Sequence, residues 1–184
     1  TSAPDALLSA ASMLAELGWQ PNQPWMAQIT APPNLDWSQT GINHIKSVRE
    51  WERLGIKART GDLGNAGLQA SVLLPVGHKG PAFLVYDNFR VYFEWNQSLT
   101  YVTTAAYFAT RIMGAPIYDA GSPDEGLNGA QMIELQRKLA AKGHDVGDID
   151  GILGEKAREV VQMEQKRLGL PADAWPTPAL LGRL

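Results

Sequence analysis

The stretch FRVYFEWNQSLTYVTTAAYFA, residues 89–109, changes its hydrophobic period halfway along its length. Val91, Phe93 and Trp95 alternate with their neighbours in a period of two, which predicts a β-strand. From Ser98 onward the apolar side chains return every three or four residues, which predicts a helix. We therefore predict a corner at this point, where a strand ends and a helix begins.

The predicted corner carries four side chains suited to binding a sugar: Trp95, Asn96, Gln97 and Tyr101. Aromatic faces offer apolar area to the C–H face of a sugar ring, and an amide both donates to and accepts from hydroxyl or N-acetyl groups. A purely structural interpretation stays open, with Ser98 as a helix N-cap, Trp95 in the core and Asn96 holding the loop.

The rest of the first part predicts an α+β fold. The runs 68–75 and 81–88 are β-rich and, together with 90–95, suggest a small antiparallel sheet. A short helix follows Ser47, which forms a capping box with Glu50.

The chain opens almost directly into a helix. Ser2 and Asp5 have capping-box spacing, and Gly18 is a typical helix stop. The residues expected to form its apolar stripe are Leu7, Leu8, Ala11 and Leu14. A natural N-terminus rarely looks like this, so we expect a mature or clipped fragment of a longer protein.

Three segments follow from the change in composition along the chain. We expect a first unit over 1–114, a linker over 115–127 and a small three-helix unit over 128–184. The linker is predicted from its prolines, glycines and acids. The last unit carries apolar residues at helical spacing, and Thr177 before Pro178 predicts the start of its last helix.

Composition excludes several classes of function. The net charge is −3, which gives no general electrostatic footprint for nucleic acid. The sequence has no cysteine, so disulfides, thiol catalysis and thiolate zinc sites are excluded. No apolar run approaches the roughly 20 residues that span a bilayer, and no signal peptide opens the chain.

The motif DVGDIDG, residues 145–151, invites a calcium-loop interpretation that fails. An EF-hand register would place Val146 and Ala157 at ligand positions, and neither side chain can ligate. We expect instead an Asp-Gly turn whose carboxylates accept backbone N–H bonds and cap the next helix. The three histidines have no metal-site spacing, and Glu94 is a lone carboxylate beside the corner. We therefore predict no metal and no cofactor, and Glu94 stays open as a weak candidate for a general acid.

Two runs of the chain resemble known families. The run GWQPNQPW…WERLGIKA…GPAFLVYDNFRVYFEWNQSLTY resembles the C-terminal portion of the catalytic domain of B-type lytic murein transglycosylases, glycoside hydrolase family 103. The tail LQRKLAAKG…DIDGILGEKAREVVQMEQKRLGL resembles the three-helix peptidoglycan-binding domain often fused to bacterial wall hydrolases. The resemblance implies a lysozyme-like transglycosylase fold followed by that small domain.

The first resemblance implies a substrate and a reaction. The substrate is the glycan strand of peptidoglycan, and the β-1,4 bond between N-acetylmuramic acid and N-acetylglucosamine is cleaved with formation of a 1,6-anhydro end. In the family, a single Glu in an E-S-x-F/W-G motif serves as acid and base. This sequence holds no such motif. We therefore expect the chain to be inactive alone, with the N-terminal half of the catalytic domain as a partner.

The resemblance also implies roles for individual residues and a location. Asn96 matches an Asn of the family's glycan-binding groove, Trp95 stands where the family has an aromatic residue, and Tyr101 matches a groove tyrosine. Met13 stands where a groove Tyr is usual. Asp5 falls near the end of a calcium loop found in some members, without the rest of that loop. The family implies a periplasmic location, with outer-membrane association through an upstream segment left open.

Two alternatives remain at the level of the sequence. The chain is a non-catalytic peptidoglycan-binding protein if it kept the groove wall and lost the acid. It is an unrelated scaffold of two units if the aromatic corner only fills a core.

Overall fold

A five-stranded antiparallel sheet with the order β2-β4-β5-β1-β3 lies at the centre of the first part of the chain. The computed structural model describes residues 2–184. The strands are β1 (Met26–Thr30), β2 (Lys46–Ser47), β3 (Lys57–Ala58), β4 (Gln69–Leu73) and β5 (Ala82–Tyr86). The helices are α1 (Ala3–Glu16), α2 (Val48–Arg53), α3 (Asp87–Trp95), α4 (Leu99–Ile112), α5 (Gly129–Ala141), α6 (Glu155–Arg167) and α7 (Pro178–Leu181), with a 3-10 turn at Trp37–Gln39. The predicted α+β class is confirmed.

Strand β5 separates two hydrophobic cores. Leu84 and Tyr86 face a core that contains Trp51 of α2, whereas Phe83 and Val85 face a second core closed by α3 and α4. Every residue of β5 is buried, because both faces of the sheet are covered at this strand.

The prediction of a strand over 90–95 is wrong: these residues belong to α3. The alternation of Val91, Phe93 and Trp95 covers only five residues, too few to separate a strand from a helix. Long-range contacts decide the conformation. The Asn88 amide bonds to backbone groups of Gln20 and Gln23, and its side chain is 1% exposed. The third long strand of the sheet is β1, not 90–95.

The predicted helix caps are confirmed. Ser2 and Asp5 form the capping box of α1, and Ser47 and Glu50 form that of α2. Ser98 accepts the backbone N–H of Tyr101 and caps α4. In each case a side-chain oxygen satisfies an N–H group that has no partner within the helix.

The predicted apolar stripe of α1 does not face a core within residues 2–184. Leu7 is 72% exposed and Leu8 is 69% exposed, and α1 has no buried residue.

Residues 128–184 form a third core between α5, α6 and α7. Met132, Leu135 and Leu139 of α5 are buried in it, as the spacing predicts. Thr177 caps α7 by accepting the N–H of Leu180. The turn prediction is confirmed in part: Asp145 and Asp150 accept backbone N–H bonds, but the N-cap of α6 is Gly154, which has no side chain to cap with.

The segment 115–127 contains no helix or strand and is bonded at both of its ends. The Gln28 amide donates to the backbone oxygen of Asp119 (3.1 Å), and the Trp175 indole donates to that of Asp124 (2.9 Å). Gly126 lies so close to the Trp175 ring that an added Cβ would overlap it. We call this segment the strap, because it is held to both parts of the chain.

Within residues 2–184, no helix has both the length and the apolar character needed to cross a membrane. Over the same residues, the acidic and histidine side chains form no group of three or more that could hold a metal ion.

Candidate functional site

The four predicted sugar-binding residues all lie where α3 gives way to α4. Trp95 is the last residue of α3, Asn96 is its C-cap, Gln97 follows in the connecting loop, and Tyr101 lies in the first turn of α4. The corner is therefore a helix–helix junction rather than a strand–helix junction. Its connection is only three residues long, so both helix ends hold the side chains in place.

Asn96 has a structural contact and remains partly accessible. Its Oδ1 accepts the backbone N–H of Ser98 (3.1 Å), and its own N–H donates to the oxygen of Tyr92. Among residues 2–184, no acceptor bonds to its amide nitrogen, which leaves two donors for a ligand. The loop-holding interpretation and the binding interpretation are thus compatible, since each uses a different atom of the same amide.

Trp95 and Tyr101 are exposed rather than buried. The side chain of Trp95 is 41% exposed and that of Tyr101 is 50% exposed. The interpretation of Trp95 as a core residue is therefore wrong. Exposed aromatic rings at a fixed corner offer flat apolar area to a ligand from solvent.

The Trp95 ring ends a row of four aromatic rings. Trp25 lies 6.2 Å from Trp19, Trp19 lies 5.5 Å from Tyr92 in an edge-to-face contact, and Tyr92 lies 6.4 Å from Trp95, each measured between ring centroids. The first three rings are half-buried. The row connects the loop after α1 to the corner.

Trp19 and Tyr92 were missed by the sequence analysis as candidate contacts. The local pattern shows two indoles six residues apart around a proline-rich loop, but nothing in it places that loop beside α3. The contact depends on the Asn88 anchor described above, which joins residues far apart in the chain.

Arg90 fixes α3 against the sheet from the other side. Its guanidinium donates to the backbone oxygen of Ile42 (2.5 Å) and to Oγ of Ser71 (2.8 Å). Burial lowers the pKa of Arg90, while the nearby Asp87 carboxylate opposes that shift. The corner consequently rests on a helix anchored by the buried Asn88 and the half-buried Arg90.

Gln97 differs from the other three candidates because it lines a cleft between the two parts of the chain. The cleft has a volume of about 400 Å³ and is walled by Phe93 and Gln97 on one side. The other wall is the turn before α6 with the first residues of that helix, residues 146–156. The corner and the Asp-Gly turn are thus brought together, which the sequence alone did not predict.

Buried polar contacts hold the two parts together. The Gln162 amide nitrogen of α6 lies 3.0 Å from the backbone oxygens of both Trp37 and Thr40 in the first part, and 3.1 Å from that of Ala172. Arg158 donates to the backbone oxygen of Pro75 (2.9 Å), and burial lowers the pKa of its guanidinium to about 10. These contacts fix the walls of the cleft.

Two protein-family models match the chain. The one described as a transglycosylase SLT domain matches residues 1–110, and the one described as a peptidoglycan binding domain matches residues 128–184. No curated protein matches the chain.

Two solved structures are similar over nearly the whole chain. Both are of SltB3 from Pseudomonas aeruginosa, one in complex with NAG-anhNAM-pentapeptide and one with NAG-NAM-pentapeptide. Each is 42% identical to this chain, covers 99% of it and has a TM-score of 0.84. The match covers 50% of the SltB3 chain, so this chain spans half the length of that relative.

Proposed function

The chain belongs to the transglycosylase SLT domain family, and we propose that it forms part of a lytic transglycosylase that cleaves the glycan strand of peptidoglycan. The observation that carries the proposal is the accessible corner of Trp95, Asn96 and Tyr101 in a chain that is 42% identical to SltB3. SltB3 has been solved with an anhydro-sugar peptide, which has the kind of end that a lytic transglycosylase leaves.

The proposed reaction cleaves the β-1,4 bond between N-acetylmuramic acid and N-acetylglucosamine. The 6-hydroxyl of the muramyl unit forms a bond to its own C1, the leaving oxygen takes a proton from a carboxylic acid, and the resulting carboxylate removes the proton of the hydroxyl. The sequence lacks the E-S-x-F/W-G motif that carries this acid in B-type enzymes. We place the acid on an upstream half of the catalytic domain, which makes that half a partner of this chain.

In this proposal residues 1–114 supply one wall of the glycan groove. Trp95 and Tyr101 offer faces to sugar rings, and Asn96 and Gln97 bond to hydroxyl and N-acetyl groups. Residues 115–127 connect this unit to residues 128–184, the unit that binds the bacterial cell wall. The polymer lies in the bacterial envelope, so we propose a periplasmic location, with attachment to the outer membrane depending on an upstream segment.

A second function, a non-catalytic peptidoglycan-binding protein, is favoured by one observation, the missing acid motif. The test mixes the 184-residue chain with a separately made upstream half and purified sacculi, and analyses soluble products by mass spectrometry. A lytic transglycosylase yields 1,6-anhydro muropeptides from the mixture and none from either half alone. Binding to sacculi without product supports the binding protein, and degradation by this chain alone contradicts our placement of the acid.

A further inference from the structure

A second cavity lies at one end of the sheet, away from the corner. Its volume is about 210 Å³, and its walls come from the end of β1, the 3-10 turn, the turn between β4 and β5, and the strap. We call it the Trp37 cavity, after the indole in its wall. Trp37 packs on the Trp51 side of the sheet, whereas α3 and α4 cover the opposite side. The Trp37 cavity is therefore separate from the corner of Trp95 and Asn96.

His78, in the wall of this cavity, has one ring nitrogen free and the ring itself held in place. Its Nδ1 lies 2.6 Å from Oδ2 of Asp173, and the same oxygen accepts the backbone N–H of His78. Asp173 is only 6% exposed, so the imidazole is held by a buried acceptor. In the neutral ring this contact places the proton on Nδ1 and leaves Nε2 as an acceptor. Nε2 has no partner within residues 2–184, and the His78 side chain is 20% exposed.

Trp37 adds a free donor next to that acceptor. The centroid of its ring lies 5.2 Å from that of the His78 imidazole. No acceptor within residues 2–184 bonds to the indole N–H, and this nitrogen is not among the side-chain atoms that are both buried and unpaired. A tryptophan N–H usually finds a partner when it is buried. The N–H of Trp37 is instead open to solvent and available to a ligand.

The charged side chains of the Trp37 cavity balance each other. Arg59 uses one terminal nitrogen for Gln28 (2.8 Å) and for the backbone oxygen of Ile117, and its other terminal nitrogen has no acceptor in the described residues. Asp119 uses Oδ1 to accept the N–H of Gly121. An anion drawn by Arg59 would be repelled by Asp119, and a cation would meet the reverse. The cavity therefore favours a ligand that is polar and uncharged.

An N-acetylated sugar ring matches these groups. It is uncharged, its hydroxyls both donate and accept, its acetyl oxygen accepts, and its C–H face packs on aromatic carbon. The cavity of about 210 Å³ is smaller than the roughly 300–1,000 Å³ of sites that enclose a drug-sized ligand. It therefore has room for one ring and not for a length of polymer.

We propose that the Trp37 cavity binds one N-acetylglucosamine unit of a peptidoglycan glycan strand, as a second sugar site besides the corner. The inference rests on the proposed function, since it adds a contact to the same polymer. The Trp37 N–H donates to an oxygen of the sugar, a sugar hydroxyl donates to Nε2 of His78, and Arg59 donates to a further oxygen.

The experiment titrates the full chain with a peptide-free glycan tetramer of alternating NAG and NAM. Two-dimensional NMR follows the indole N–H signals of the six tryptophans, assigned through single Trp→Phe variants. We expect the Trp37 signal to shift and to saturate as the tetramer is added. The Trp25 signal is the internal control and should stay in place, because that N–H already donates to the backbone oxygen of Ala106. The Trp95 signal reports on the corner.

Three variants locate the effect. His78→Asn keeps a side-chain donor for Asp173 and loses the nitrogen at the position of Nε2, and Arg59→Gln removes a guanidinium at an exposed position. Each should weaken the binding reported by Trp37 by roughly 2- to 10-fold, the loss of one hydrogen bond, and leave that reported by Trp95 unchanged. His44→Asn, at an exposed histidine outside the cavity, should change neither.

A Trp37 signal that does not move overturns the inference, as does a shift with undiminished affinity in both His78→Asn and Arg59→Gln. In either case a moving Trp95 signal leaves the proposed function standing with the corner as its sugar site. If neither the Trp37 nor the Trp95 signal moves, the inference and the proposed function are both overturned.

Discussion

The carboxylate of Asp173, in the loop after α6, lies 2.6 Å from Nδ1 of His78, in the turn between β4 and β5. The same Oδ2 atom accepts the backbone N–H of His78 at 3.0 Å, and Oδ1 accepts from Gln165 and from the backbone of Trp175. One 6%-exposed carboxylate thus joins the first part of the chain to the last. The two parts are therefore docked through specific hydrogen bonds of Asp173 and Gln162.

Replacing Gln162 with Leu should uncouple the two parts. The change leaves the oxygens of Thr40 and Ala172 without this donor, and unsatisfied buried acceptors cost about 1–3 kcal/mol each before relaxation. We expect differential scanning calorimetry to show one transition for the unmodified chain and two for Gln162→Leu. Gln136→Leu is the matched control, because the Gln136 amide bonds only within 128–184. A single, unshifted transition in Gln162→Leu would show that the docking does not depend on this amide.

Asn96 should matter for activity through its amide nitrogen and for stability through its oxygen. Asn96→Asp keeps the acceptor for the N–H of Ser98 and loses both amide donors, whereas Asn96→Ala loses the acceptor as well as the donors. With the upstream half added, we expect Asn96→Asp to lower the rate of anhydro-muropeptide release at least 10-fold while its melting temperature stays within about 2 °C of the unmodified chain. Asn96→Ala should lose a further ~1 kcal/mol of stability. Full activity in Asn96→Asp would restrict this residue to holding the loop.

Substitution of two tryptophans tests whether the corner binds peptidoglycan or only stabilises the fold. Trp51 is fully buried and donates to the backbone oxygen of Ala70, so Trp51→Ala should cost about 3–5 kcal/mol of unfolding free energy. Trp95→Ala should cost less than about 1.5 kcal/mol because 41% of the Trp95 side chain is already in water. It should nevertheless weaken sedimentation with sacculi several-fold. Equal losses of unfolding free energy for both variants, measured by urea unfolding, would contradict a binding role for Trp95.

Glu164 should make the three-helix part sensitive to acid. Its carboxylate is 3% exposed and bonds to Arg167 and Lys142, and these contacts lower its pKa to about 2. A lowered pKa in the folded state stabilises the fold above the unfolded pKa of roughly 4.3, and the contribution is lost as pH falls toward 2. The full contribution is up to about 3 kcal/mol.

Glu164→Gln should therefore flatten the dependence of unfolding free energy on pH between about 5 and 2. Glu134→Gln serves as the control, since Glu134 is an exposed partner of Lys138 on α5. Urea titrations at several pH values measure the unfolding free energy of both variants. Parallel pH curves for Glu164→Gln and the unmodified chain would contradict the assignment.

The sequence predicted those features that depend on near neighbours. The capping boxes of α1 and α2 join residues three apart, so they are visible in the sequence itself. Helix α3 was missed because its conformation depends on Asn88 and Arg90, whose partners lie 19 to 68 residues away. The row of aromatic rings and the cleft beside Gln97 were missed for the same reason. Each brings together segments that only the folded chain places side by side.

The strap has a consequence for anyone who re-engineers this chain. Any side chain at position 126 would collide with the Trp175 ring, and the Trp175 indole is itself bonded to Asp124. Extra residues inserted between 115 and 119 would not by themselves free the last three helices, because Asp119, Ser122 and Asp124 stay bonded to Gln28 and Lys79 of the first part. A flexible tether would require an alteration that breaks these contacts and also the docking contacts of Gln162 and Asp173.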